Sequence, residues 1–396
     1  MRVLHVVPSL AACDGGPAAA ALAMTRALSR EGVDCLLAAT DADGRDHLPV
    51  RAGEEADFEG VRTVFFRHVG RLASFKWSPA LARWLHGNVS RFDVVHAHAV
   101  FSHAPVAAGA ACRRSGTPLV VRPLGHLDAW SLSQGRTRKR FFLAAVGRRL
   151  LTGARAVHWT TEAERDGAAK VARGLPGFVV PLGVEERLFE EGDAGEGFRT
   201  AFPAVGTSPY VLFLSRLDPK KNVEGLIEAF ISVREKAEGD WKLVVAGDGD
   251  STYAASLRSL AKAPGGAGSV LFAGWLSGAV KASALWGAAL FALPSHQENF
   301  GIAVGEAMAA GCPVLVSDRV NLASQIVEAG AGWVVGLEAD AVGTGLREAF
   351  GSAEQRAQRG SMGRSLAKAR FRWDVVARQL IVRYQEILAA PGRATW

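Results

Sequence analysis

The sequence predicts an α/β protein with two doubly wound, Rossmann-like domains. Its 396 residues exceed what one ordinary hydrophobic core holds, so two domains are expected. In both halves, short apolar segments alternate with segments of helical periodicity. Such alternation is typical of a parallel sheet with helices on both faces.

The predicted strands of the first half lack polar alternation, as expected for strands buried on both faces. They are residues 2–7, 34–40, 92–99, 118–123 and 156–161. Residues 16–32 are Ala-rich and have the apolar recurrence of a helix, which we expect to end near Gly32.

A stretch rich in Gly, Pro and acidic residues, 181–208, separates the two halves. We take its start as the boundary between an N-terminal domain, 1–182, and a C-terminal domain, 183–372. Further strands are predicted at 210–216, 241–247, 269–274, 290–295 and 313–317. A last amphipathic helix, about 373–390, is predicted to pack back on the first domain. The carboxyl ends of both sheets should line a shared cleft, where open α/β sheets bind ligands.

Composition narrows the class of protein. The four cysteines form no CxxC pair, which argues against a disulfide framework or a structural zinc site; they are Cys13, Cys35, Cys112 and Cys312. No apolar run of about 18 residues and no signal-peptide pattern occurs, so we expect a cytoplasmic protein, free or peripheral on the inner face of the cell membrane.

Charge is spread unevenly along the chain. The formal net charge is +7, and residues 1–180 contain 24 Lys/Arg against 15 Asp/Glu. The basic half is expected to face an anionic partner, the alternative being an ordinary solvated surface.

The segment HQENFGIAVGEAMAAGCPVL, residues 296–315, contains two glutamates eight positions apart. Glu298 lies in a predicted loop after a strand, and Glu306 lies inside a predicted helix that starts near Gly301 or Ile302. A helix N-terminus offers a phosphate free N–H groups and about half a positive charge. Glu306 is then placed to reach a ribose, and Glu298 to reach the group beyond the phosphates.

A second segment, FLSRLDPKKNVEGL, carries the predicted counter-charges. Arg216 follows a strand, and Lys221 precedes a helix five residues later. These two cations suit the neutralisation of a diphosphate without a metal ion.

With these motifs in place, the chain resembles the retaining, GT-B-fold glycosyltransferases of family 4 (glycosyl transferases group 1) over nearly its whole length. The pair Glu298 and Glu306 resembles the family's E-x7-E signature, SRLDPKKN its Arg…Lys motif, VVAGDGD its Gly-Asp-Gly strand end and VVPLGV its interdomain turn. Leu182 departs from the pattern, since the family often has Asn at that place.

The resemblance implies a hexosyltransferase whose second domain holds a nucleotide-sugar donor, UDP- or GDP-linked, with no metal and no cofactor. Arg216 and Lys221 would hold the diphosphate, Glu306 the ribose and Glu298 the transferred sugar. Backbone N–H groups would line the phosphates and sugar, from Asn299, Phe300, Gly301 and Ile302. Backbone contacts to the base are expected near Gly274, Trp275 and Leu276.

The first domain is expected to bind the acceptor. Gly15 and Gly16 precede a helix predicted to start at Pro17, so their loop would face the donor phosphates or the acceptor; a plain tight turn is the alternative. By the resemblance, His126 is the histidine that contacts the transferred sugar, although it stands two residues later than a simple alignment would place it.

Three further histidines crowd the segment VVHAHAVFSHAP. His96 and His98 share one strand face, as metal ligands do, but no third ligand follows at a suitable spacing. We predict core packing for His96, and acceptor contacts for His98 and His103.

Residues 122–151 resemble the members of the family that build bacterial cell-surface and exported polysaccharides. The segment places cations around Phe141, Phe142 and Leu143. The cations are Arg136, Arg138, Lys139, Arg140, Arg148 and Arg149. A basic helix with an apolar face suits docking on an anionic membrane surface, where a lipid-linked glycan acceptor would lie.

Residues 62–91 add further cations, interleaved with Phe75, Trp77 and Trp84. Solvated amphipathic helices are the alternative to membrane docking for both segments. Nucleic acid is not an expected partner, because no recognition motif accompanies the charge.

Three rival functions remain open from sequence. Asp41–Asp43 and Asp248–Asp250 each fit a DxD pattern, which suits a metal-dependent transferase of another fold. The others are a GT-B-fold sugar-nucleotide epimerase and a non-catalytic, donor-binding partner of a biosynthetic complex.

Overall fold

The computed structural model describes residues 1–70 and 75–390. The chain divides into two units, one of Met1–Gly183 with the chain from Trp373 onward, the other of Val184–Arg372. The division falls one residue after the predicted domain boundary. Each unit contains a mainly parallel sheet flanked by helices, which confirms the predicted α/β class.

The first unit contains ten described strands. They are β1 (Arg2–Ser9), β2 (Asp34–Thr40), β3 (Ala42–Asp43), β4 (Asp46–His47), β5 (Glu55–Phe58), β6 (Val61–Phe66), β7 (Val94–His98), β8 (Leu119–Arg122), β9 (Ala156–Trp159) and β10 (Gly177–Val179). The main sheet has the order β10-β9-β8-β7-β1-β2-β6-β5, and β3 and β4 form a separate hairpin. All neighbours in the main sheet are parallel except β5 and β6.

The helices of this unit cover both faces of the sheet. They are α1 (Gly16–Arg30), α2 (Pro79–Asn88), α3 (His103–Ser115), α4 (Ala129–Ser133), α5 (Arg136–Phe142), α6 (Arg148–Thr152), α7 (Glu162–Gly167), α8 (Ala169–Ala172) and the C-terminal α17 (Trp373–Ala389). On one sheet face, Leu4, Val6, Val95 and Ala97 belong to one apolar core. The opposite face carries His5 of β1 and the two histidines of β7, His96 and His98, among valines.

The second unit contains one sheet in the described chain. Its strands are β11 (Tyr210–Leu214), β12 (Lys242–Ala246), β13 (Val270–Gly274), β14 (Leu290–Leu293), β15 (Val314–Ser317) and β16 (Gly332–Val335). Its helices are α9 (Glu196–Ala201), α10 (Val223–Arg234), α11 (Ser251–Leu260), α12 (Gly278–Gly287), α13 (Ile302–Ala309), α14 (Ala323–Ala329), α15 (Ala339–Gly351) and α16 (Ala353–Arg370).

The strand order of the second sheet, β13-β12-β11-β14-β15-β16, fixes where its ligand site lies. The chain runs outward from β11 to β13 and then returns to place β14 on the other side of β11. The strand order thus reverses between β11 and β14, and the carboxyl ends of the strands at such a reversal are the place where doubly wound sheets bind ligands.

All the strands predicted from sequence are present, and the last predicted helix is α17. The structure adds β3 to β6, β10 and β16, which were not predicted. No helix of the described chain combines the length and hydropathy needed to cross a bilayer.

Candidate functional site

The loop after β11 carries both predicted diphosphate ligands. Arg216 lies two residues beyond the strand and is exposed. Lys221 ends a short 3₁₀ turn, and its side chain is nearly buried. Asp218 caps that turn, since its Oδ1 accepts a hydrogen bond of 2.9 Å from the N–H of Lys220.

The loop after β14 is attached to the loop after β11. The N–H of His296 donates to the carbonyl of Lys220 at 2.8 Å. The N–H of Glu298 donates to Arg319 at 3.2 Å, and its carbonyl accepts from Asn321 at 3.1 Å. The backbone of Glu298 is thereby fixed, and its Oε1 forms an ion pair with Nζ of Lys221.

The Gly-Asp-Gly turn after β12 lies against the same region. The N–H of Leu217 donates to the carbonyl of Asp248 at 2.9 Å. A Cβ atom on Gly249 would stand 2.0 Å from the carbonyl oxygen of Leu217, so glycine is required there. Asp250 is the N-cap of α11, accepting 3.0 Å bonds from the N–H groups of Thr252 and Tyr253. In the second DxD motif, Asp250 thus caps a helix, and Asp248 contributes a backbone carbonyl to the loop after β11.

Helix α13 begins where the sequence predicts. Gly301 has φ 71° and ψ 65°, a left-handed conformation that ends the loop, and Ile302 is the first helical residue. Asn299 and Phe300 precede it, and the buried Phe300 ring packs edge-on to Phe371 with centroids 5.3 Å apart. The first N–H groups of α13 lack partners within the helix and carry its positive dipole end.

Glu306 lies on α13 and is 9% exposed. Nζ of Lys281, on α12, lies 2.8 Å from its Oε1 and 3.4 Å from Oε2 of Glu185. Burial raises the pKa of Glu306 above its ordinary value, and Lys281 offsets only part of that effect. Burial lowers the pKa of Lys281, but its two carboxylate neighbours outweigh burial and raise it.

Sequence reasoning missed Lys281. Its one signal is a single cation inside the otherwise apolar segment AVKASALWGA. A lone lysine of this kind implies a buried partner, but the partner is distant in sequence.

The predicted base-contacting residues follow β13. The carbonyl of Gly274 accepts a 2.7 Å bond from the N–H of Gly247, so this turn is continuous with the Gly-Asp-Gly turn. Trp275 is largely exposed and Leu276 is buried.

In the first unit, residues predicted to contact the donor or the acceptor lie in loops or at helix starts. Gly15 has φ 65° and precedes α1, which begins at Gly16. His103 begins α3, and its Nδ1 accepts a 3.2 Å bond from the N–H of Ser78. His126 lies half-buried in the turn after β8, with its ring 5.9 Å from that of Phe101.

The structure does not support the predicted acceptor contact for His98, which is 1% exposed. Its Nε2 lies 3.0 Å from Nδ1 of His5, and its ring stacks on that of His96 at 4.5 Å. The alternation of β7 places His96 and His98 on one face, and that face is covered by the fold. Core packing of His96 agrees with the structure, since its Nδ1 lies 2.7 Å from the hydroxyl of Tyr384.

The basic segment is also different in detail from the prediction. Phe141, at the end of α5, is 78% exposed. Phe142 and Leu143 are instead partly buried and pack against the core of the first unit, so Phe141 is the most exposed of the three. Of the second basic segment, residues 71–74 lie outside the described residues; Trp77 is exposed, whereas Trp84 packs against the core.

Comparison with known proteins places the chain in a family. Residues 196–365 match the family described as Glycosyl transferases group 1, and residues 15–183 match the Glycosyl transferase 4-like domain. A phosphatidyl-myo-inositol mannosyltransferase of Mycobacterium leprae is 30% identical over 351 residues, which cover 84% of this chain and 83% of that protein. The chain belongs to the group 1 glycosyltransferases.

A second relative of this glycosyltransferase matches over a shorter region. A GDP-mannose-dependent alpha-(1-6)-phosphatidylinositol monomannoside mannosyltransferase of Mycobacterium tuberculosis is 30% identical over 209 residues, 51% of this chain and 54% of that protein. The chain thus spans about half the length of this relative.

Solved structures share the fold. HepE from Anabaena, in complex with UDP and glucose, has a TM-score of 0.75 at 18% identity, covering 98% of this chain and 100% of that one. Sucrose-phosphate synthase from Thermosynechococcus elongatus has a TM-score of 0.76 at 20% identity, covering 99% and 100%. At these identities the likeness shows the fold alone, which is GT-B with two Rossmann-like domains.

The pair formed by Lys281 and Glu306 gives the glycosyltransferase a pH-dependent element of stability. Lys281→Met is expected to lower the free energy of unfolding by about 3 kcal/mol near pH 8, because the Glu306 carboxylate is left buried without its cation. Removing the cation raises the pKa of Glu306 further. The loss should shrink towards pH 5, where the carboxyl binds a proton, and grow as the pH rises through the folded-state pKa.

Melting temperatures of wild type and Lys281→Met at pH 5 and pH 8 measure this difference. The exposed Lys262→Met is the matched control and should change little at either pH. An equal loss at both pH values would contradict the assignment of a buried, cation-dependent carboxylate.

Proposed function

We propose that this glycosyltransferase moves a sugar from a nucleoside-diphosphate donor to a hydroxyl of a lipid-linked glycan, with retention of configuration and without a metal ion. The observation that carries the proposal is the grouping of Arg216, Lys221 and Glu298 beside the N-terminus of α13. All of them lie at the carboxyl ends of β11 and β14, where the strand order reverses.

The diphosphate would bind to the two cations. Arg216 is exposed and forms no ion pair with any described residue, so its guanidinium is available to phosphate oxygens. Lys221 is held by Glu298, and a diphosphate carries more negative charge than that carboxylate. Bound diphosphate would therefore draw Lys221 away and stabilise the leaving group as the bond to the sugar breaks.

The same exchange would release Glu298 for the sugar. Once Lys221 turns to the phosphates, the Glu298 carboxylate can accept hydrogen bonds from sugar hydroxyls. Glu306 has Lys281 on its Oε1, which leaves its second oxygen for ribose hydroxyls. His126 of the first unit is proposed to contact the transferred sugar, and the leaving phosphate to guide the acceptor to the same face.

The proposed lipid-linked acceptor is supported by the exposed residues of α5 and by the names of two similar proteins. Two relatives are described by their names as acting on phosphatidylinositol lipids. In this chain, the exposed ring of Phe141 follows a run of exposed arginines. An exposed aromatic side chain among cations suits the interface of an anionic membrane, where such an acceptor is presented.

The double variant Arg216→Ala/Lys221→Ala tests the diphosphate site. UDP or GDP is expected to raise the melting temperature of wild type in excess EDTA, and to leave that of the double variant unchanged. Transfer by the variant should fall at least about 100-fold in kcat/KM, because leaving-group charge is no longer stabilised. The exposed Lys236→Ala is the control. If neither nucleotide stabilises wild type, or if stabilisation requires a divalent cation, the metal-independent donor site is wrong.

Glu298→Gln separates sugar binding from nucleotide binding. The change keeps the shape of the side chain but removes the charge that holds Lys221. We expect stabilisation by UDP or GDP to be kept or increased, since Lys221 is freed, while transfer falls about 100-fold. The exposed Glu228→Gln on α10 should do neither. Weaker nucleotide binding by Glu298→Gln would show instead that Glu298 serves the nucleotide.

Vesicle binding tests the membrane surface. The triple variant of Arg136, Arg138 and Arg140 to Ala is expected to bind anionic vesicles roughly 100-fold less well, at about 1 kcal/mol for each lost cation. Phe141→Ser should also weaken binding, whereas Val382→Ser, at another exposed apolar side chain of this unit, should not. Co-sedimentation with anionic and neutral vesicles at two salt concentrations measures this. Equal binding to both kinds of vesicle would contradict an electrostatic docking surface.

A further inference from the structure

Asp41, His47 and His68 meet at the carboxyl ends of two neighbouring strands in the first unit. Asp41 directly follows β2, and His68 lies two residues beyond β6. These strands are parallel partners as far as their last residues, Thr40 and Phe66. His47 is supplied by β4, the second strand of the small hairpin that follows Asp41.

The distances place three donor atoms around one point. Oδ1 of Asp41 lies 3.2 Å from Nδ1 of His68, and Oδ2 lies 3.0 Å from Nδ1 of His47. The two imidazole rings have centroids 4.3 Å apart. One donor atom from each of the three residues lies within 4.8 Å of the other two.

The contact between His47 and Asp41 is short. Nδ1 of His47 is buried and lies 3.0 Å from Oδ2 of the Asp41 carboxylate. Two ligands that each stand about 2.1 Å from a shared ion lie roughly 3 to 3.5 Å apart. The observed spacings of 3.0 and 3.2 Å therefore fit donor atoms that share one ion.

We propose that Asp41, His47 and His68 form a binding site for one divalent transition-metal ion such as Zn²⁺. Two imidazoles and one carboxylate are the donor set that such ions accept, with the remaining positions left to water. The carboxylate is 1% exposed and supplies the charge that the ion needs, while the His47 side chain is 31% exposed and gives the ion a way in.

The surroundings of Asp41 leave room for this role. The N–H of His68 donates to Oδ1 at 2.8 Å, which fixes the carboxylate and the histidine backbone together. Nη1 of Arg67 lies 3.4 Å from Oδ2, but this side chain is largely exposed and is free to turn to solvent when an ion binds. The bound ion would fasten the β3–β4 hairpin to the end of the sheet.

A second histidine cluster in the same unit is less suited to a cation. His5, His96 and His98 also bring three donor atoms within 4.8 Å of one another. They include no carboxylate, and the fully buried guanidinium of Arg122 opposes a further positive charge. The site at Asp41 instead contains a buried carboxylate, whose negative charge favours a cation.

In this proposal, the two aspartates of the first DxD motif do not jointly hold a metal ion that bridges to a diphosphate. Asp43 does not share the cluster with Asp41; its Oδ1 instead accepts a 3.2 Å hydrogen bond from Sγ of Cys13. Asp41 therefore takes its partners from beyond the motif, and the proposed ion is separate from the proposed donor chemistry of the second unit.

Titration with Co²⁺ tests the proposal on untagged, EDTA-stripped protein. Wild type is expected to bind one equivalent with a visible absorption band typical of imidazole ligation, which Zn²⁺ displaces. His47→Ala, at the most exposed ligand, and the isosteric Asp41→Asn should each weaken binding at least 10-fold. His86→Ala, at an exposed histidine of α2, should bind as wild type does.

The melting temperature gives an independent readout. Zn²⁺ should raise it for wild type and His86→Ala, and not for His47→Ala, whose metal-free melting temperature serves as the folding check. Absence of Co²⁺ binding, or binding that is unchanged in His47→Ala, would overturn the proposal. Binding lost in His98→Ala but kept in His47→Ala would assign the ion to the other histidine cluster and overturn it equally.

Discussion

Backbone hydrogen bonds between loops that leave neighbouring strands fix the donor-side residues of the second unit. Leu217 donates to Asp248, His296 to Lys220 and Asn321 to Glu298, so the four loops after β11, β12, β14 and β15 form one continuous layer at the carboxyl edge of the sheet. The ion pair of Lys221 with Glu298 joins two of these loops a second time. The backbone positions of the charged residues are therefore set before a ligand binds, which reduces the conformational entropy lost on binding.

Strand burial explains which strands could be predicted from the sequence. Parallel strands buried on both faces appear in sequence as continuous apolar runs, and all the strands predicted from such runs are present. The missed hairpin of β5 and β6 is antiparallel at the sheet edge, and its strands have mixed polarity. Its turn, Glu59 and Gly60 with φ of 51° and 77°, is the local sequence signal for this hairpin.

The residues of the candidate site likewise differ in whether the sequence predicts their placement. Glu298, Gly301 and Glu306 lie in one strand–loop–helix segment, so their spacing in sequence predicts their placement. Lys281 is 25 residues from Glu306, and nothing local links the two. The predicted acceptor contact of His98 is not supported for a related reason: alternation shows that His96 and His98 share a face, but only the packed C-terminal helix, which brings Tyr384 to His96, shows that this face is covered.

The two DxD motifs show why a pattern needs its three-dimensional partners before it names a chemistry. A carboxylate pair can bridge a metal and a diphosphate only if both carboxylates face one point. Oδ1 of Asp250 caps the start of α11, and the carbonyl of Asp248 accepts from the N–H of Leu217. Asp41 faces two imidazoles instead of its neighbour in sequence. The proposed diphosphate ligands are therefore the cations Arg216 and Lys221. The carboxylate of Asp41 and its two imidazole neighbours suit a metal ion instead. Diphosphate binding and metal binding thus use different residues.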